Sequence, residues 1–470
     1  MDREHRTTKI LQPLTRRPSW GFLVLLGLAI LGLAWFAYAW SFQLQHGMIV
    51  TGLGDWGTGG GIPWGLYVGS FIWWVGIAHG GIIISAAVRL FGLETYKPVA
   101  RLAELLTLVA LSIAALYIVV HLGRPERVVT SVLPNLPTTI RTSPLAWDVT
   151  VITLYFVLTA TYLSLTIRAD LHAIRDRLPR ILSPVYALLL LGYRPEEQPK
   201  LERMAWWLAL AIIILAPLFL HGGVIPWLFA LLPGQPGWFG AAQGPQFLTI
   251  ALSSALGSVI VMAYIFRRAY GWEEILDDRV FAGLARWLAL FGLLFLWLQL
   301  QQIITGASMA PEAATAVTEA KLAEPLYWLA LGMVGAAVAY LGLQMLYPSL
   351  FTVPRTVAAA ALPVLATLLE KVLFVVEGLM YPVFTLYEGV PGRYSPSWVE
   401  LSSIIGAFSL VVLFFLLISR IIPLVEVESE PEAQRPVSQD GHKPARTQQI
   451  PVRQPSTSRA PEPILRRGES

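Results

Sequence analysis

The 470-residue chain contains no cysteine. Without thiolates it can hold neither a disulfide framework nor a cysteine-ligated iron–sulfur cluster, and it has no attachment point for a covalent haem. Any such centre must sit on a partner. Charge is scarce as well: Asp, Glu, Lys and Arg make up 14% of the residues, against ~25% in an average soluble domain. With 55% of its residues hydrophobic, the chain cannot clothe a soluble globule, and its class is membrane. The formal charge of +4 is small, and the basic residues are sorted by side rather than gathered into a patch, so no nucleic-acid partner is expected.

What is abundant is apolar sequence in separate runs. Each is about 20 residues or longer, enough to cross a ~30 Å hydrocarbon core as a helix, so spans are expected rather than a barrel. Breaks at polar, Gly or Pro residues predict spans over 20–44, 64–90, 99–121, 146–168, 202–226, 243–267, 281–305, 324–347, 360–386 and 398–423. The first run follows a basic segment but is long and lacks a small-residue cleavage site, which reads as a retained span. With the N-terminus placed in the cytoplasm, 28 of the 34 Lys and Arg fall in cytoplasmic segments and 5 in outer loops, with Lys371 inside a span. That bias sets the orientation and an even number of spans, with both termini cytoplasmic. The link 168–203, with seven basic residues, suits anionic lipid. After Leu424 the sequence turns to Pro, Gln, Ser, Arg and Glu, the composition of a disordered tail over 425–470.

The expected fold is therefore all-α and integral to the membrane, with about ten transmembrane helices. Spans two to five (64–226) and six to nine (243–388) can form two four-helix bundles. The first span (20–44) and the last (398–424) flank them, and residues 1–19 form a cytoplasmic N-terminal segment.

Gly52-Leu53-Gly54-Asp55-Trp56-Gly57 matches a dinucleotide fingerprint by letter. It follows no strand and opens no βαβ unit, so it reads as an outer loop. Trp64 and Tyr67 beyond it are rings suited to the outer interface. The informative polar residues lie at span ends. Span three finishes outward with His121-Leu122-Gly123-Arg124-Pro125, and span four starts inward with Ser143-Pro144-Leu145-Ala146-Trp147-Asp148. Span five rises from about Glu202, so His221 lies ~28 Å further along and also reaches the outer end. His121, Asp148, His221 and Arg124 thus share one depth, and spans joined by short loops can bring them to one pocket.

Oxidising a quinol removes two protons with two electrons, so its pocket needs acceptors at the ring oxygens and bases with an exit to water. Histidine beside a carboxylate suits that task. The plainer alternative is that Asp148 serves the dipole of its helix and that Arg124 merely pairs with it. His79 lies near mid-membrane, as an interhelical hydrogen-bonding group or a proton relay. In span nine Glu370 and Glu377, seven residues apart on one face, fit a relay or an ion pair with Lys371. Gln299, Gln301 and Gln302 fit interhelical hydrogen bonds.

Six segments together carry a family resemblance: Pro63-Trp64-Gly65-Leu66-Tyr67, Gly76-Ile77-Ala78-His79-Gly80-Gly81, His121 to Pro125, Ser143 to Asp148, Pro236-Gly237-Trp238 and Tyr394-Ser395-Pro396-Ser397-Trp398-Val399-Glu400. In these, over roughly residues 60–425, the chain resembles the NrfD / polysulfide reductase membrane-subunit family. Within it, the ten-span pattern resembles the quinol-binding membrane subunits of alternative complex III. The resemblance implies a quinone-binding anchor of a respiratory oxidoreductase in the bacterial inner membrane, with menaquinone as the quinone and no haem or iron–sulfur cluster of its own. It implies a periplasmic ferredoxin-like iron–sulfur subunit over the pocket, with molybdopterin or multihaem cytochrome c subunits as further partners. Tyr67, His79, His121, Arg124, Asp148 and His221 fall in segments that resemble quinone-binding positions. One departure stands out: Leu228 occupies the place where alternative complex III often has a second acid after the span-five histidine. Two other classes compete, a b-type cytochrome with one haem between His121 and His221, and a proton or solute transporter using His79, Glu370 and Glu377.

Overall fold

The computed structural model describes residues 3–54, 62–140, 144–216, 225–230, 232, 235–238, 240, 242–308, 312–380 and 394–427. Ten long helices organise them: α1 (Trp20–His46), α2 (Leu66–Leu90), α3 (Lys97–His121), α4 (Pro144–Ala173), α5 (Gln198–Leu215), α6 (Gln243–Tyr270), α7 (Asp278–Ser308), α8 (Pro325–Leu346), α9 (Val353–Met380) and α10 (Trp398–Ile418). All but α5 are long and apolar enough, over their described residues, to cross a membrane. The protein is an all-α integral membrane protein.

Helix α4 runs on to Ala173, past the predicted 168, and α10 stops at Ile418, short of 423; two more helices depart further from their predicted bounds. The ninth begins at Val353 rather than 360, because Pro354 sits in the first turn, where its missing N–H costs nothing, and Arg355 stays exposed. The fifth is described as α5 and, after an interval outside the described residues, as the short helix Ile225–Ala230.

Helices α2, α3, α4 and α5 pack in a closed ring, each against the next and α5 back against α2. A second ring is closed by α6, α7, α8 and α9, and α2 joins the two through contacts with α6 and α9. Helix α10 pairs with α1 and touches α2 and α3. Burial follows this order: 83% of the apolar window of α2 lies inside the protein and only 22% of that of α1. A helix apolar on every side, as these are, takes its place from what its neighbours allow rather than from an amphipathic stripe.

What brings α2 to the centre is the absence of side chains along it. A Cβ on Gly80 would lie 2.6 Å from the Ala251 carbonyl oxygen of α6, one on Gly81 would lie 2.6 Å from the Thr107 hydroxyl of α3, and one on Gly69 would lie 2.6 Å from Val372 Cα of α9. Adjacent glycines thus admit different neighbours, the close backbone approach by which apolar helices associate where no hydrophobic drive separates lipid from protein.

Hydrogen bonds tie the helix ends into two faces. On one, Trp272 donates to the Lys9 carbonyl (3.0 Å), Lys9 pairs with Glu274 (2.9 Å), Arg89 pairs with Glu426 (3.3 Å) and Tyr186 donates to the Ile421 carbonyl (2.9 Å). Most of the basic residues lie at this end, here called the basic face. On the other, Glu400 accepts from the Gly52 amide (2.6 Å) and from Tyr394 (2.7 Å), whose hydroxyl accepts from the Leu66 amide at the start of α2 (2.7 Å). Ser397 and Glu400 also form a capping box at the start of α10.

Candidate functional site

The site grows from the first turn of α2. Tyr67 is 1% exposed, so the ring expected at an interface lies inside the protein. Its hydroxyl donates to Gln43 Oε1 of α1 (2.7 Å), and Gln43 Nε2 donates to the Val120 carbonyl at the end of α3 (3.0 Å). One buried glutamine therefore fixes the tyrosine and the end of α3 relative to each other. His121, the last residue of α3, sets its ring edge-to-face with Tyr67, with centroids 6.4 Å apart.

Tyr67 and His121 line a cavity of about 270 Å³ with Asp148, in the second turn of α4. The other walls are apolar or aromatic, with Trp64, Phe71, Tyr117, Leu228 and Phe229 among them. Leu228, at the place of the missing acid, is thus a greasy wall. Phe229 meets Trp64 edge-on at 6.2 Å and Trp238 at 4.8 Å, and Trp64 stacks on Trp238 at 5.8 Å. Trp238 is held by donation to the Phe374 carbonyl (2.8 Å). The floor is therefore a cluster of rings at the seam of the two helix rings.

Within this setting His121 Nδ1 and Asp148 Oδ1 are buried and have no hydrogen-bond partner among the described residues. Leaving such a group unpaired costs about 1–3 kcal/mol each. Two of them in one apolar cavity make it complementary to a flat apolar molecule that carries polar atoms at its rim.

Of the remaining sequence candidates, Arg124 lies beyond the end of α3, exposed, and does not line the cavity. His221 falls outside the described residues, as does Asp55 to Gly57 of the fingerprint look-alike. His79 is 1% exposed in the middle of α2, with Nδ1 2.6 Å from the Val75 carbonyl and its ring edge-on to Tyr155 at 4.8 Å. It stands twelve residues from Tyr67, ~18 Å along the helix. Glu370 and Lys371 form a buried pair at 3.2 Å in α9. Gln299 donates to Glu370 (3.2 Å) and accepts from Tyr327 (3.1 Å), while Lys371 Nζ lies 3.5 Å from the Phe247 ring centroid. Glu377 is half-buried, and its Oε1 has no hydrogen-bond partner among the described residues. Gln302 accepts from Gln246 (3.1 Å).

Sequence reasoning missed Gln43 as part of this site, and it missed a group near the basic face. Arg101 pairs with Asp170 at 2.6 Å, and Ser85 donates to Glu104 at 2.6 Å, all four side chains being buried. The available signal was a pair of opposite charges three residues apart inside an apolar helix.

Residues 56–383 match the family model described as "Polysulphide reductase, NrfD", a stretch that runs from just before α2 through α9. A putative dimethyl sulfoxide reductase membrane subunit of Halobacterium salinarum is 29% identical over 425 residues, covering 85% of this chain and 90% of that protein. A selenate reductase subunit of Mesobacillus selenatarsenatis is 23% identical, and the match covers 83% of this chain and 91% of that protein. The "Hdr-like menaquinol oxidoreductase integral membrane subunit" of Archaeoglobus fulgidus is 23% identical, with 86% and 93% covered.

Proposed function

Because the chain belongs to the polysulphide reductase NrfD family, we propose that it is the quinone-binding membrane anchor of a multisubunit oxidoreductase, with the quinone head group held between α2, α3 and α4. The observation that carries this reading is a pair of buried polar atoms, His121 Nδ1 and Asp148 Oδ1, that have no hydrogen-bond partner among the described residues and share one aromatic cavity. Its volume of about 270 Å³ is near the lower end of small-molecule pockets, ~300–1,000 Å³, which suits a ring whose isoprenoid tail lies outside in lipid. A relative is named as a subunit of a menaquinol oxidoreductase, which favours menaquinol as the partner quinone.

Quinol oxidation releases two protons and two electrons. His121 and Asp148 are the groups placed to take the protons, while the rings around them hold the head group flat and keep water from its faces. Tyr67, held by Gln43, orients the ring oxygen nearest the end of α3. Electrons leave to an iron–sulfur subunit docked over this face, since the chain has no cysteine to hold a cluster itself. With the catalytic subunits of such reductases it forms the complex. Quinone reduction uses the same groups in the opposite direction. The first ring (64–226) is the quinone-bearing bundle and 243–388 its companion. His79 and Arg124 serve the same site from a distance, and Glu370 and Glu377 move protons in the second bundle. The basic face lies in the cytoplasm, with both termini, and the cavity opens toward the periplasmic side.

The test is steady-state quinol turnover of the assembled complex carrying Asp148→Asn or His121→Ala. Each variant is expected to lose about 10²-fold or more in kcat, the usual worth of a positioned acid or base, with assembly of the complex unchanged. Wild-type turnover in both variants would remove the proposed site.

A further inference from the structure

At the basic face, α2, α3, α4 and α5 enclose a second cavity of about 620 Å³, lined by Ser85, Arg89, Tyr162, Asp170, Glu202 and Glu426 among others. Of the three cations on its walls, Arg89 is held by Glu426 at 3.3 Å and Lys97 by Glu94 at 2.6 Å, and the third is Arg6 of the N-terminal segment. Two further acids, Asp170 and Glu202, share the walls. Such a lining does not select an anion or a phosphate head group. It suits water and positive charge.

Behind Ser85, at the inner end of this cavity, lies Glu104. It is 1% exposed. Ser85 donates to its Oε1 at 2.6 Å, and its Oε2 has no hydrogen-bond partner among the described residues. One turn earlier on α3, Arg101 is equally buried, and its Nε and Nη2 have no hydrogen-bond partner among the described residues. Had Glu104 been placed to neutralise that arginine, the two would be joined. Instead Arg101 is satisfied by Asp170 at 2.6 Å and by the Val425 carbonyl at 3.4 Å, so Glu104 is a spare acid. Two unfilled donors and an unfilled acceptor, a turn apart and beside a polar cavity, cannot remain dry at acceptable cost; they are satisfied by water entering from the basic face.

We propose that Glu104 is a proton-exchanging carboxylate, reached by water from the basic face, at the membrane surface opposite the aromatic cavity. The step is a simple acid dissociation: the Glu104 carboxylic acid gives its proton to water as hydronium, which leaves through the cavity, and the reverse reloads it. The charged and titratable groups that face it are Arg89 of α2, Arg101 of α3, Tyr162 of α4 and Glu426 of the segment after α10, with Ser85 as its hydrogen-bond donor and Asp170 acting only through Arg101. The inference rests on the membrane reading of the fold and not on the quinone.

The chain's lack of cysteine makes the test direct. Ser85→Cys, nearly isosteric, is treated with a membrane-impermeant thiosulfonate in vesicles of each orientation, beside Leu31→Cys, whose side chain faces outward near the middle of α1. A hydrated port predicts modification of Ser85→Cys from the basic face about tenfold faster than of the lipid-facing control, since a thiol in apolar surroundings is inert. In parallel, infrared difference spectra of the wild-type chain in lipid, taken across pH, are expected to show a carboxylic acid band that exchanges with deuterated water and is missing in Glu104→Gln. No modification from either face, faster modification from the opposite face, or an infrared titration unchanged in Glu104→Gln would overturn the proposal. Both readouts are independent of quinol turnover, so this failure and failure of the quinone site are distinguishable.

Discussion

At the scale of single residues, the proposed site rests on three polar side chains, Tyr67, His121 and Asp148, and their supports. Tyr67 donates its hydroxyl proton to Gln43, so Tyr67→Phe removes a buried donor and leaves the Gln43 oxygen without its tyrosine. Thermal unfolding of the purified chain should report a loss of about 1–3 kcal/mol, and the complex should show a raised KM for quinol with kcat nearly unchanged. A fall in kcat with KM intact would place Tyr67 among the proton-handling groups instead. Near the basic face, Arg101 and Asp170 form a buried pair. Removing one partner strands the other charge, at about 3–5 kcal/mol, whereas replacing both with apolar residues of similar size is far milder. Unfolding midpoints of Arg101→Met, Asp170→Leu and the double variant should therefore be strongly non-additive; additive losses would show that the pair does not act as a unit. Part of this geometry was legible in sequence. His121 and Asp148 stood out as ionisable groups at neighbouring span ends, and they line one cavity. Gln43 did not, because an amide near the end of an apolar run carries no signal of its partner, and Tyr67 looked like an interfacial ring because its burial depends on α1, a helix remote in sequence.

Helices bring a different lesson. The apolar period of a membrane helix does not reveal which face meets protein, so neighbours cannot be inferred from hydrophobicity. Small residues are more informative. Gly80 and Gly81 sit in a segment recognisable by its pattern, and the structure supplies the reason: one admits α6 and the other α3. Gly80→Val is expected to destabilise the chain by at least ~1–3 kcal/mol, as overpacking does. Gly335→Ala in α8, where an added Cβ meets nothing within 4 Å, should be neutral or stabilising by up to ~1 kcal/mol. Thermal unfolding in one detergent compares them. Equal effects would mean that α2 does not owe its central place to close approach. The ninth helix starts seven residues before the predicted 360: Arg355 interrupts the apolar run, yet a charge in a first turn at a membrane surface ends nothing.

Over the whole molecule, hydropathy made the span pattern readable, because it acts through the bilayer rather than through any specific contact. The pairing of α1 with α10, and the closure of two rings, depend on long-range packing that no local pattern encodes. If the basic face is cytoplasmic, reporter fusions after residue 427 and in the 271–277 link should be active only as cytoplasmic reporters, while one at residue 394 should behave as periplasmic. The proposed function turns above all on a quinone head group lying in the aromatic cavity, and a photoreactive menaquinone analogue mapped by peptide mass spectrometry tests it most directly. Adducts displaced by excess menaquinol are predicted within 64–72 and 117–122, and lost in Asp148→Asn. Competed adducts confined to α7 through α9, with none on the start of α2 or the end of α3, would contradict the account.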